Sequence, residues 1–133
     1  MPQAYVVDKD KSSALSVGGG DHWEISDADG LLVAAEAGDF IVFGELYGVA
    51  LNDYDADRES IVVSTQGGYV LEVVAVDNAG GEAIYQGSWL YWDVAAGEIN
   101  RDATNGAAIG QALEAVTAGE TAEIGVLLRP QAP

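Results

Sequence analysis

Gly38-Asp39-Phe40-Ile41-Val42-Phe43-Gly44-Glu45-Leu46-Tyr47-Gly48-Val49-Ala50-Leu51 is the stretch that decides the fold class. Phe40-Ile41-Val42-Phe43 joins aromatic and β-branched residues, the types that fit a pleated, half-buried surface. Ala37-Gly38-Asp39 ahead of it is a turn signal. Successive strand residues point to opposite faces, and this run is apolar on both. Such a strand is central, or one of its faces is covered by another subunit.

The same grammar extends in both directions. β-like runs recur at 61–63, 69–76, 89–92 and 124–128. Turn signals separate them at Asn52-Asp53, Gln66-Gly67-Gly68, Asn78-Ala79-Gly80-Gly81, Asn105-Gly106 and Ala118-Gly119. In the last run Ile124, Val126 and Leu128 share one face, and Glu123, Gly125, Leu127 and Arg129 share the other. Helical periodicity is poor. Residues 109–118 read equally as a helix or as a strand plus turn, and 82–86 as a short turn. The pattern predicts an all-β fold, a small β-barrel or sandwich of many short strands with at most one or two short helical turns.

A faint internal repeat runs through the chain. Gly48-Val49-Ala50-Leu51, an acidic loop and Ile61-Val62-Val63 are echoed by Gly110-Gln111-Ala112-Leu113, Ala118-Gly119-Glu120 and Ile124-Gly125-Val126. A Gly-led aromatic strand precedes each copy, Gly38-Asp39-Phe40 in one and Gly87-Ser88-Trp89 in the other. Two similar β-units closing one barrel are expected, not a solenoid. Residues 1–17 hold both lysines and lead into Gly18-Gly19-Gly20. They read as an N-terminal arm, with 18–133 as a single β domain. Tyr5-Val6-Val7 is the segment of the arm able to add a strand to a neighbouring subunit.

Charge narrows the function. Among 133 residues, 22 acids face five bases, a net charge of −17. Lys9, Lys11, Arg58, Arg101 and Arg129 are scattered, so sequence neighbours build no basic patch. Nucleic-acid binding needs clustered cations, and it is rejected together with binding to anionic membranes. Two readings of the acidity remain, solubility through self-repulsion and adaptation to concentrated salt. No apolar run is long enough for a transmembrane helix, and the N-terminus lacks the pattern of a secretory leader. Cysteine is absent, which removes disulfides, thiolate metal sites and thiol nucleophiles.

Candidate chemistry is sparse. His22, the single histidine, lies in Asp21-His22-Trp23 without a Gly-x-Ser-x-Gly elbow or a cysteine to activate. Asp53-x-Asp55-x-Asp57 imitates the start of a calcium loop, but Arg58 stands where the sharp turn needs glycine and Ser64 where a bidentate Glu belongs. Asp53, Asp55 and Asp57 are therefore a weak metal candidate, and a solvated acidic loop is the default. Gly18-Gly19-Gly20 lacks the Lys-Ser/Thr of a phosphate loop. Trp89 and Tyr91 share one strand face, with Leu90 and Trp92 on the other. At least one of these pairs is expected in the core, and an exposed Trp89–Tyr91 face would suit a sugar. No catalytic residue and no cofactor is expected.

The blocks 38–51, Trp89-Leu90-Tyr91-Trp92-Asp93, 109–120 and 124–130 together resemble, in this order, the strand signatures of a family of small tailed-phage head decoration, or cement, proteins. That family was formerly of unknown function and sometimes labelled a RecA/RadA-like phage recombinase. The label finds no support in this chain, which has neither a nucleotide-binding loop nor a basic surface. The resemblance covers roughly residues 20 to 130. It implies a non-enzymatic structural virion protein that binds the outer surface of the capsid and stabilises it. It also implies the major capsid protein as partner, self-association as a homotrimer, and residence on the capsid exterior after assembly in the host cytoplasm. Tyr5, Val6, Val7 and Trp23 are the expected capsid or subunit contacts. The alternative is a glycan- or host-binding β module exposed on a virion.

Overall fold

The computed structural model describes residues 4–7, 13–16, 22–26, 32–43 and 46–129. They form thirteen strands, β1 (Ala4–Val7), β2 (Ser13–Ser16), β3 (His22–Ser26), β4 (Phe40–Phe43), β5 (Leu46–Ala50), β6 (Ser60–Ser64), β7 (Gly67–Val74), β8 (Val76–Asp77), β9 (Gly80–Gly81), β10 (Trp89–Asp93), β11 (Glu98–Asn100), β12 (Gly106–Ala112) and β13 (Thr121–Leu128). No helix occurs among the described residues. The all-β expectation holds. Where 109–118 left helix or strand open, the chain takes strand as far as Ala112 and then turns. The strands divide between two compact units, residues 2–66 and 67–133.

The first unit is one six-stranded sheet in the order β1-β4-β5-β6-β3-β2. β1 pairs with β4 in parallel; every other pair is antiparallel. β1 and β2 lie at opposite edges of this sheet, and no ladder joins them among the described residues. Ile25, Leu32, Ala35, Ile41, Ala50, Ile61 and Val63 form its core, with Tyr54 packed against it. Phe40 and Val42 are buried too, as the doubly apolar β4 requires.

The second unit is a five-stranded antiparallel sheet, β11-β10-β12-β13-β7, beside the small β8-β9 hairpin. Its edge strands β11 and β7 approach each other without pairing. The alternation of the last strand is realised, with Ile124, Val126 and Leu128 buried. Leu90 and Trp92 are the buried pair of β10, and Trp89 and Tyr91 are half-buried.

The two units share one plan. Four antiparallel strands run β4-β5-β6-β3 in the first and β10-β12-β13-β7 in the second. Ile25 opposite Ile61 answers Leu71 opposite Ile124, and Ala50 opposite Val63 answers Ala112 opposite Val126. The turn into the aromatic strand is also repeated. Gly38 N–H donates to Ala50 O at 2.8 Å, and Gly87 N–H to Ala112 O at 2.7 Å. Both glycines hold positive φ, +95° and +90°, where a Cβ is strained. Glu36 N–H donates to the Asp39 carboxylate and Tyr85 N–H to the Ser88 hydroxyl, each at 2.9 Å. The repeat read in the sequence thus corresponds to two units. Each builds its own sheet, and among the described residues the sheets are not closed into the expected barrel.

Candidate functional site

Three places concentrate side chains that the fold alone does not explain. The first is the acidic loop between β5 and β6. Asp53 accepts the Ala37 N–H at 3.0 Å, and Asp55 accepts the N–H groups of Asp57 and Arg58 at 3.0 and 3.2 Å. Asp55 thus serves as a turn acceptor, the usual local role of the residue type, whereas Asp53 ties the loop to the distant Ala37. No group of three metal-binding side chains occurs among the described residues. Arg58 pairs with Glu24 at 2.7 Å, and Ser60 donates to the same carboxylate. Glu59 closes the loop at φ +52°, in the left-handed region. That conformation costs a non-glycine residue about 1 kcal/mol. Glu59→Gly is therefore expected to raise stability by about 0.5 kcal/mol after glycine's entropic cost. Urea titration checks this, and a drop in midpoint contradicts it.

The second place is the connection between β10 and β12. In the first unit residues 44–45 make the equivalent link; here residues 94–105 do so, including β11. A buried polar network holds this insertion. The Asn100 amide donates to Asp93 at 3.2 Å and to Glu98 at 3.0 Å, and its oxygen accepts the Asp102 N–H at 2.9 Å. Asp102 accepts the N–H groups of Thr104 and Asn105 and, at 2.7 Å, the Asn105 amide. The Asn105 side chain outweighs desolvation and holds the Asp102 carboxyl below the usual carboxylate range. A depressed folded-state pKa stabilises the fold above the ordinary carboxylate value, and that contribution is lost as pH falls through the folded value. Sequence reading took Asn105-Gly106 for a turn and missed the network. Its only linear trace is the spacing Asn100-x-Asp102-x-x-Asn105.

The third place is a pair of exposed leucines, Leu51 and Leu113, at the ends of β5 and β12. Each backbone N–H donates into the neighbouring strand, to Val62 O at 2.8 Å and Gly125 O at 2.9 Å. The next residue, Asn52 or Glu114, accepts the N–H of the same partner, Val62 or Gly125. Both leucines stand in the repeated segments of the sequence, which was the signal for them.

The remaining sequence candidates fall as follows. Tyr5, Val6 and Val7 lie on β1, opposite Ile41, Val42 and Phe43. Trp23 lies on β3 opposite Val63, and His22 opposite Ser64. The side chains of these five residues lie outside the described residues. The structure brings none of these candidates together with Asp53, Asp55 and Asp57 in a described contact. Trp89 and Tyr91 do not form an open aromatic platform: both are half-buried, and the Tyr91 Cβ lies 2.8 Å from where a Cβ on Gly106 would stand.

With this geometry in view, the family comparison is decisive. The model of the phage cement protein family matches residues 26–129, from the end of β3 to the end of β13. The chain belongs to the phage cement protein family. This cement-family chain is thereby placed in a class of capsid-associated structural proteins of the virion. The matched region contains the repeated segments 38–63 and 87–126, the insertion and both exposed leucines. No curated protein and no solved structure matches the chain.

The charge of the cement-family chain has a measurable consequence. Two ion pairs, Arg58–Glu24 and Arg101–Glu82, stand among the described residues against a net charge of −17. Self-repulsion therefore opposes folding at low ionic strength. Raising salt from about 0.01 M to 1 M shortens the Debye length from about 30 Å to 3 Å. The thermal midpoint is expected to rise on the order of 5 °C over that range. Calorimetry in a NaCl series checks this, and a flat or falling midpoint contradicts it.

Proposed function

We propose that this chain is a decoration protein that binds the outer surface of a tailed-virus head and stabilises it. Membership of the cement family across residues 26–129 is the observation that carries the reading. The physics of the chain supports it. A decoration subunit must hold a shell against pressure, which compact β modules and repeated weak contacts accomplish without catalysis. A surface of net charge −17 does not adhere to packaged DNA. The role is structural, the partner is the major capsid protein, and the protein acts as a cyclic homotrimer on local three-fold positions. Half-burial of Trp89 and Tyr91 favours this reading over a glycan-binding module.

The N-terminal arm, residues 1–17, belongs to the same proposal. β1 and β2 are the edge strands of their sheet, and edges are where another subunit extends a sheet. Tyr5, Val6, Val7 and Trp23 are the proposed capsid or subunit contacts. Two measurements test the function. Mass determination in solution should give a trimer, and purified capsids mixed with the protein should gain it on their exterior in electron micrographs. A stable monomer that never binds capsids would overturn the reading. Deleting residues 1–17 should lower capsid occupancy, and undiminished occupancy removes the arm from the proposal.

A further inference from the structure

We infer that the two units dock alike, Leu51 and Leu113 being equivalent apolar knobs that seat in apolar, basic-rimmed sockets on neighbouring capsid subunits. The inference rests on the decoration reading and adds its contact residues and valency.

Repetition is the first argument. Six large apolar side chains are exposed among the described residues, namely Val33, Leu51, Val70, Tyr85, Val94 and Leu113. Only Leu51 and Leu113 occupy equivalent positions in the two units. Tyr85 corresponds to Glu36 and Val70 to Glu24, so at those positions one unit is acidic. At the leucine position both units keep the same side chain, 39% and 42% exposed.

The hydrogen bonds at this position do not require leucine. The backbone N–H makes the ladder bond, and Asn52 or Glu114 supplies the side-chain acceptor. Any residue able to extend the strand would do both. Leu113 moreover lies over two residues without side chains, Gly68 and Gly125, within 3.9 and 3.4 Å of where a Cβ would stand. Its side chain lies on this bare patch of sheet and leaves 42% of its surface to solvent.

Charge then selects the partner. Leu51 is followed by the exposed Asp53, Asp57 and Glu59, and Leu113 by the exposed Glu114, Glu120 and Glu123. An apolar knob in a field of carboxylates is complementary to an apolar socket rimmed by Lys or Arg, and it repels a second copy of itself. A capsid lattice presents the same socket on successive subunits, so a duplicated module can engage two of them. Linked engagement multiplies two weak contacts into a firm one.

The test is an occupancy titration of purified capsids with the full chain and with Leu51→Ser, Leu113→Ser and the double variant. Burying the remaining two-fifths of a leucine is worth roughly fivefold in affinity. Each single variant should therefore bind about fivefold more weakly, and the double variant about 25-fold, the factors multiplying for independent sites. Thermal midpoints of the single variants should fall by no more than about 5 °C, since about three-fifths of each leucine is already buried against its own sheet. Leu51→Met with Leu113→Met keeps the apolar surface and should bind like the parent, which guards against misfolding of the serine variants. Parent-like binding by the serine variants, or loss from one site alone, overturns the inference while decoration stands. Failure of the parent chain to bind capsids overturns both.

Discussion

Gly110→Ala is expected to cost about 3 kcal/mol or more and to lower the thermal midpoint by on the order of 10 °C. Gly110 on β12 faces Leu128 on β13, and a Cβ added to it would run into the Leu127 carbonyl oxygen. The carbonyl carbon and the Leu128 Cα stand at 2.9 and 3.0 Å from the same point. These are backbone atoms inside a ladder, so no rotamer change relieves the clash. The strands would have to separate, along with the Leu113–Gly125 bond beyond them. The equivalent Gly48 meets Ser64 O at 2.8 Å, so Gly48→Ala should also be harmful, though less so than Gly110→Ala. Gly68→Ala, whose nearest neighbour is a Leu113 methyl carbon at 3.9 Å, should change stability by less than about 1 kcal/mol. Denaturant titration of the three variants checks the order. Equal stability of Gly110→Ala and Gly68→Ala would contradict the close approach of β12 and β13.

Asn100→Asp is expected to be nearly as damaging, although it changes one group at constant size. The Asn100 amide is the donor between the carboxylates of Asp93 and Glu98, and residue 100 is 1% exposed. A third carboxylate there removes both bonds and places like charges within hydrogen-bond distance in a buried site. The expected loss is about 3 kcal/mol or more at neutral pH. Its pH dependence is specific. The introduced carboxyl has a folded-state pKa raised above its unfolded value, so the penalty is full above the folded pKa. It shrinks as pH falls through that value, because the proton restores a donor. Denaturant midpoints of parent and variant should therefore converge on acidification. A constant gap between them would assign the loss to shape alone.

Much of this molecule was legible in its residues, for reasons that differ by element. Phe40-Ile41-Val42-Phe43 and 124–128 announced strands because β-branched and aromatic side chains at a period of two have one compatible backbone. β5 and β12 were harder to see. Their glycines and alanines carry little strand preference, and they are strands because Gly48 and Gly110 let neighbouring backbones approach. The repeat was faint because residues 94–105 interrupt the second copy and shift its spacing. The polar network in that insertion joins Asp93, Asn100, Asp102 and Asn105 only after the chain has turned.

By itself the sequence determined the all-β class, the strong net acidity, and the ordered strand motifs that mark the cement family. These are properties of composition and local pattern, which act over a few neighbouring residues. Tertiary structure alone decided that the repeat is two sheets, that 4–7 pairs with 40–43 in parallel, and that Leu51 and Leu113 are equivalent and exposed. Those outcomes depend on pairings between distant segments, and backbone hydrogen bonds and burial choose such partners without leaving a mark in the order of the residues.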